Sequence, residues 1–124
     1  MPGTNLRVYV LWMHVTASDR QPPNSIVLGQ FTDRRVAQYW DPYRLLSKTM
    51  LREYPADTAI AMADTTGGGP PVIWDFVAMW RPGTRWNERL PMPDFAGHPI
   101  ADLMEPYRER LEELLRLTAS RRSP

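Results

Sequence analysis

Two stretches of this chain are apolar on alternate positions and on most of the positions between. Leu6–Val15 sets Val8, Val10, Trp12 and His14 on one side and Tyr9, Leu11, Met13 and Val15 on the other. Val72–Trp80 sets Val72, Trp74, Phe76, Ala78 and Trp80 against Ile73, Asp75, Val77 and Met79. A period of two marks a strand, and two apolar faces mark a strand covered on both sides. The pattern therefore predicts two neighbouring central strands, with one carboxylate, Asp75, buried in the middle of the second.

Helical spacing appears elsewhere. Thr32 or Asp33 suits the cap of a short helix through Trp40. Asp41 followed by Pro42 reads as an N-cap and first helical position. Tyr43, Leu46, Met50 and Tyr54 then line one face of a helix that ends before Pro55. A last helix is predicted from Glu105-Pro106 to about Leu117, with Tyr107, Leu111, Leu114 and Leu115 as its apolar stripe. Its Arg108–Glu112 and Glu112–Arg116 pairs have ion-pair spacing. Ile26-Val27-Leu28 and Thr58–Ala63 fit a strand and a helix equally well. Ala17–Ser25 and Asp64–Pro71 read as loops, Arg81–Thr84 as a turn leading to a return strand at Arg85-Trp86, and Pro91–Pro99 as irregular.

At 124 residues and 43% hydrophobic, the chain is expected to fold as one domain over residues 1–119, with 120–124 a flexible basic tail. The fold class expected is α/β, with α+β the other possibility. A net charge of +1 gives no reason for a nucleic-acid or anionic-membrane partner. No run approaches the roughly 20 apolar residues of a membrane helix, and the N-terminus lacks a signal-peptide pattern, so a cytoplasmic protein is expected. There is no cysteine, which excludes thiol chemistry, disulfides and thiolate metal sites from this chain.

Candidate chemistry is sparse. A buried Asp75 needs a base or a backbone donor, and Arg7, Arg34, Arg35, Arg81 and Arg85 are available to it; a catalytic role is the second reading. His14 falls at the carboxyl end of a predicted central strand, where open α/β sheets bind ligands. His98 lies in a loop of mixed polarity. His14, His98, Asp41, Asp75 and Asp94 show no metal-motif spacing, so no metal and no cofactor is expected. Thr65–Gly69 lacks the lysine and the following helix of a phosphate loop, and reads as a linker. Most of Trp12, Trp40, Trp74, Trp80 and Trp86 are assigned to the core, with a small-ligand pocket as the alternative.

Arg35-Val36-Ala37-Gln38-Tyr39-Trp40-Asp41 and the segment Trp74–Trp86 resemble two motifs of a family of small bacterial proteins without an assigned function, over about Val8 to Phe95. Some members are thioredoxin-like. The resemblance implies a mixed β-sheet flanked by helices, in the order strand, helix, hairpin, final helix. It implies no dithiol chemistry, because the reactive cysteine such a protein needs is missing, and it transfers no catalytic residue.

The expectation is a non-redox binding or accessory domain for a small molecule or peptide, using a cleft near His14 and the start of the Asp33–Trp40 helix. His14, Trp40, Trp74, Trp86 and His98 are its candidate ligand-binding residues. The alternative is a small hydrolase, possibly metal-assisted, with His14 or His98 as base or metal ligand and Asp75 or Asp41 as orienting acid. A homodimer through exposed aromatics is a third expectation.

Overall fold

A computed structural model describes residues 5–16, 18, 20–54 and 71–120. The Thr58–Ala63 segment, the Thr65–Gly69 linker and the tail after Ser120 lie outside them. The described elements are mixed α+β: β1 (Val8–Trp12), α1 (Ser25–Leu28), β2 (Val36–Trp40), α2 (Leu45–Glu53), β3 (Val77–Met79), β4 (Phe95–Gly97) and α3 (Ile100–Ser120). The strands form two pairs, β1 with β2 and β3 with β4. Residues up to Lys48 form one compact unit and those from Thr49 a second, so the division falls inside α2.

In the first unit β1 and β2 are parallel, with Val8 opposite Val36 and Trp12 opposite Trp40. The short helix expected through Trp40 is thus a strand. Val36, Tyr39 and Trp40 are strand formers, and the run is too short for a stable helix without a cap of its own. Asp33 is used in a turn instead: its Oδ1 accepts the Arg35 N–H at 2.9 Å and its carbonyl accepts the Val36 N–H at 2.9 Å.

One face of the pair is covered by the connection between its strands. The Trp12 indole donates to Gln38 Oε1 at 3.0 Å, Gln38 Nε2 donates to the Leu28 carbonyl at 2.9 Å, and Phe31 meets Trp12 edge-on at 6.2 Å. Asn24 caps α1, its Oδ1 accepting from Ile26 and Val27 N–H at 3.1 Å each. That decides the ambiguous Ile26–Leu28 segment for helix. On the opposite face Tyr9 and Tyr39 remain 64% and 55% exposed, their rings 6.4 Å apart. The prediction of two covered faces therefore does not hold for β1.

In the second unit β3 and β4 are antiparallel, with Val77 opposite Gly97 and Met79 opposite Phe95. The long strand expected over Val72–Trp80 is cut to three residues, and it pairs with β4 instead of β1. Asp75 is the reason. Its φ is 49°, in the left-handed region, where an extended run cannot continue. Aspartate is among the few residues that tolerate that region. The return strand is β4, inside the segment expected to be irregular, and not Arg85-Trp86.

The Arg81–Thr84 turn forms as predicted, with Gly83 at φ 85° and the Thr84 N–H donating to the Arg81 carbonyl at 3.3 Å. Helix α3 begins at Ile100, not Glu105, with Pro106 inside it. Six good or neutral helix formers precede that proline, and their Leu103 extends the apolar stripe. The β4 strand lies against α3 through Phe95 on Tyr107, edge-on at 5.8 Å. A Cβ on Gly97 would sit 2.8 Å from Leu103 Cδ1, so a side chain there would force Leu103 aside. Of the two predicted α3 pairings, Glu112–Arg116 survives only as Arg116 Nε donating to the Glu112 carbonyl. Arg108 pairs with Glu105 instead.

The segment after the turn is tied at its far root. Glu53 Oε2 accepts the Leu90 N–H at 2.7 Å, which holds the Glu53 carboxyl below the ordinary carboxylate range. The Tyr54 hydroxyl and the Trp80 indole both donate to the Pro91 carbonyl at 2.8 Å. Among the described residues Met50, Tyr54, Val72, Ile73, Met79 and Leu114 are the buried hydrophobic ones.

Candidate functional site

The carboxyl ends of β1 and β2 lie at the same edge, because the strands are parallel and in register through Trp12 and Trp40. The Asp41 N–H donates to the Trp12 carbonyl at 2.8 Å and carries the pairing one step further. His14 follows two residues after Trp12 and is half-buried. It stands between Trp12, whose carbonyl holds Asp41, and Val15, whose carbonyl receives Arg44 Nη2 at 3.4 Å. The fold thus brings the backbone around His14 to Asp41 and Arg44.

Asp41 is 9% exposed and serves the local structure. Its carbonyl accepts the Arg44 N–H at 3.3 Å, which closes a turn over Pro42 and Tyr43. Its Oδ2 accepts the Leu46 N–H at 3.0 Å, at the start of α2. Asp41 was expected to cap a helix beginning at Pro42. It does reach the first turn of α2, but the helix begins three residues later. Asp at the first position and Pro at the second are β-turn residues, and the fourth position of such a turn favours glycine. Here that position holds Arg44, with φ 55°. A side chain in the left-handed region costs about 1–2 kcal/mol.

Arg44 is the residue that sequence reasoning missed. Among the described residues its buried Nε has no hydrogen-bond partner, and its one side-chain bond is the contact to Val15 at the outer limit of hydrogen-bond length. Buried donors are paired in the great majority of cases. Strain and an unmade bond at one residue, at the carboxyl edge of a parallel pair, single this position out. The available signal was the Asp41-Pro42 turn, which puts an arginine where glycine is favoured.

The other candidates fall elsewhere. Asp75 is exposed, not buried. Its Oδ1 accepts the Ile100 N–H at 3.3 Å, which brings it to the backbone just after His98-Pro99. Among the described residues no arginine is paired with it: Arg81 bonds Asp94, and Arg35 bonds Asp33. Trp74 and Trp86 are 44% and 56% exposed. His98 and Trp40 are half-buried, His98 directly after β4 in the second unit and Trp40 at the β2 end in the first. The tryptophans are thus divided between the two units, Trp12 and Trp40 in the first and Trp74, Trp80 and Trp86 in the second. Among the described residues neither histidine hydrogen-bonds a carboxylate, no three His, Asp or Glu side chains gather around a metal-sized point, and no helix is long and apolar enough to cross a membrane.

No family model, curated protein or solved structure matches this chain.

Proposed function

We propose that this protein is a non-redox binding or accessory domain on a thioredoxin-like plan, and that a small molecule or peptide docks at the carboxyl edge of β1 and β2. The observation that carries the reading is the state of Arg44: a guanidinium in a strained backbone position, with a buried donor unused, beside His14 and Asp41 at the ends of two parallel strands. The element order supports the plan, with a parallel β–α–β unit, a helix, an antiparallel pair and a last helix. Without cysteine, such a scaffold has binding and not dithiol exchange as its task. The setting proposed is cytoplasmic.

A hydrolase needs an acid and a base within hydrogen-bond reach, and no such pair involves His14 or His98 among the described residues. The binding reading therefore takes precedence. Its test is a thermal-shift screen of the intact protein against small molecules and short peptides, repeated on His14→Ala and Trp40→Ala. The expected outcome is at least one compound that raises the Tm of the parent and not of the variants. Hits that act equally on all three proteins move the site away from this edge. Steady turnover of an ester or peptide with a bell-shaped pH profile replaces the reading with the hydrolase.

A further inference from the structure

The chain itself displays how its arginines hold an acid. Arg35 presents Nε and Nη2 side-on to Asp33, with Nε at 3.0 and 3.1 Å from the two carboxylate oxygens. Arg81 presents the same edge to Asp94, with Nε at 2.7 Å from Oδ1 and Nη2 on the same oxygen. Parallel N–H groups on that edge match the geometry of an oxyanion. Arg44 has the same edge, and among the described residues no acid lies on it. Nε is unpaired, and Nη2 has only the Val15 carbonyl at 3.4 Å. The nearest candidate within its own turn, Asp41, has its Oδ2 committed to the Leu46 N–H.

We propose that the Nε–Nη2 edge of Arg44 binds an oxyanion of the ligand, a carboxylate or a phosphate, and that the anion enters by displacing the Val15 carbonyl. A neutral carbonyl at the limit of bonding distance is a weak competitor for a guanidinium, because bonds between charged partners are shorter and roughly twice as strong. Val15 and Thr16 are exposed, so displacement moves surface backbone and leaves the strand pairing intact. The Arg44 side chain already reaches the backbone after β1, at the Val15 carbonyl. The inference rests on the carboxyl edge being the binding site.

The test is a nuclear magnetic resonance titration of the intact protein, following the Arg44 Nε–H and the backbone amides. Sodium acetate, sodium phosphate and neutral acetamide are added at constant ionic strength set with chloride. The expected result is a saturable shift of Arg44 Nε–H together with the Val15 and Thr16 amides, caused by acetate, phosphate or both, and not by acetamide. Acetate alone assigns a carboxylate ligand, and phosphate alone a phosphate. Arg44→Lys keeps the charge and loses the side-on edge, and is expected to weaken the response at least about tenfold. An Arg44→Lys protein that responds like the parent overturns the proposal. So does an absence of any shift beyond chloride. If acetamide alone moves the Met13–Thr16 and Trp40–Leu46 amides, the oxyanion is wrong and the binding edge stands. If no probe moves them, both fail.

Discussion

Arg81 and Arg44 each follow or adjoin a strand end, and each lies in or beside a tight turn, yet their surroundings differ in kind. The Asp94 side chain is 6% exposed and accepts from the Arg81 N–H at 2.8 Å, from Arg81 Nε and Nη2, with Arg110 3.8 Å away. Its lone pairs are in use, and the Arg81 bonds hold its carboxyl below the ordinary carboxylate range. Arg44 has a strained backbone, a buried donor and one long bond. The first arrangement is what stability alone produces. The second costs stability with no return inside the described residues, and the proposed binding role rests on that difference. Charge counting cannot tell the two arginines apart; the tally of made and unmade hydrogen bonds can.

The comparison breaks most readily at Asp94. Replacing it with alanine is expected to cost about 2–3 kcal/mol, because it strips acceptors from Arg81 and leaves the turn unanchored; the midpoint of a urea melt reads this. The same group fixes an acid limb. Its pKa is lowered on folding, so its stabilisation is full above the unfolded value near 4 and is lost as pH falls through the folded one. A melt series from pH 6 to 2 is expected to fall less steeply for Asp94→Ala than for the parent, and equal slopes would remove Asp94 from the acid response.

At Arg44 the sign reverses. Arg44→Gly relieves the left-handed backbone and removes the unmade donor, and is expected to raise stability by about 1 kcal/mol while abolishing the anion response. A loss of stability on this change would mean that the guanidinium is structural after all, and the contrast with Arg81 would collapse. The smallest effect belongs to Asn24→Ala, which removes the α1 cap at a cost of about 0.5–1 kcal/mol. Because α1 and the Leu28 carbonyl lie on the face of the β1–β2 pair that holds Trp12, this change is expected to alter Trp12 hydrogen exchange and leave the anion titration untouched.

Much of the secondary structure was legible. Apolar alternation located β1, the helical stripe located α2 and most of α3, and Pro-Gly marked the turn after Arg81. The errors share a cause. Asp75 was read by its apolar neighbours as a buried strand residue, whereas its own tolerance of the left-handed region ends the strand there. Thr32 or Asp33 suits a helix cap, but Asp33 closes a turn; Asp41 closes a turn and also reaches the first turn of α2, and only tertiary pairing with β1 decides that Val36–Trp40 is extended. Of the candidate site, period and polarity place His14 near the carboxyl end of β1, which ends two residues earlier at Trp12. For Arg44 only the Asp41-Pro42 turn, with an arginine where glycine is favoured, carries a signal; its unmade hydrogen bond has no signature in a sequence.

The segment from Arg81 to Arg89 is exposed at every residue, and both of its roots are tied, one by Asp94 and the other through Leu90 to Glu53 and through Pro91 to Tyr54 and Trp80. A loop whose ends are fixed independently of its contents can be lengthened at little entropic cost, since each doubling of length adds only about 0.6 kcal/mol. Residues between the roots are therefore free to diverge, or to carry a grafted peptide, without disturbing the strands that flank them. Where evolution or an engineer wants new sequence in this protein, that is the place to write it.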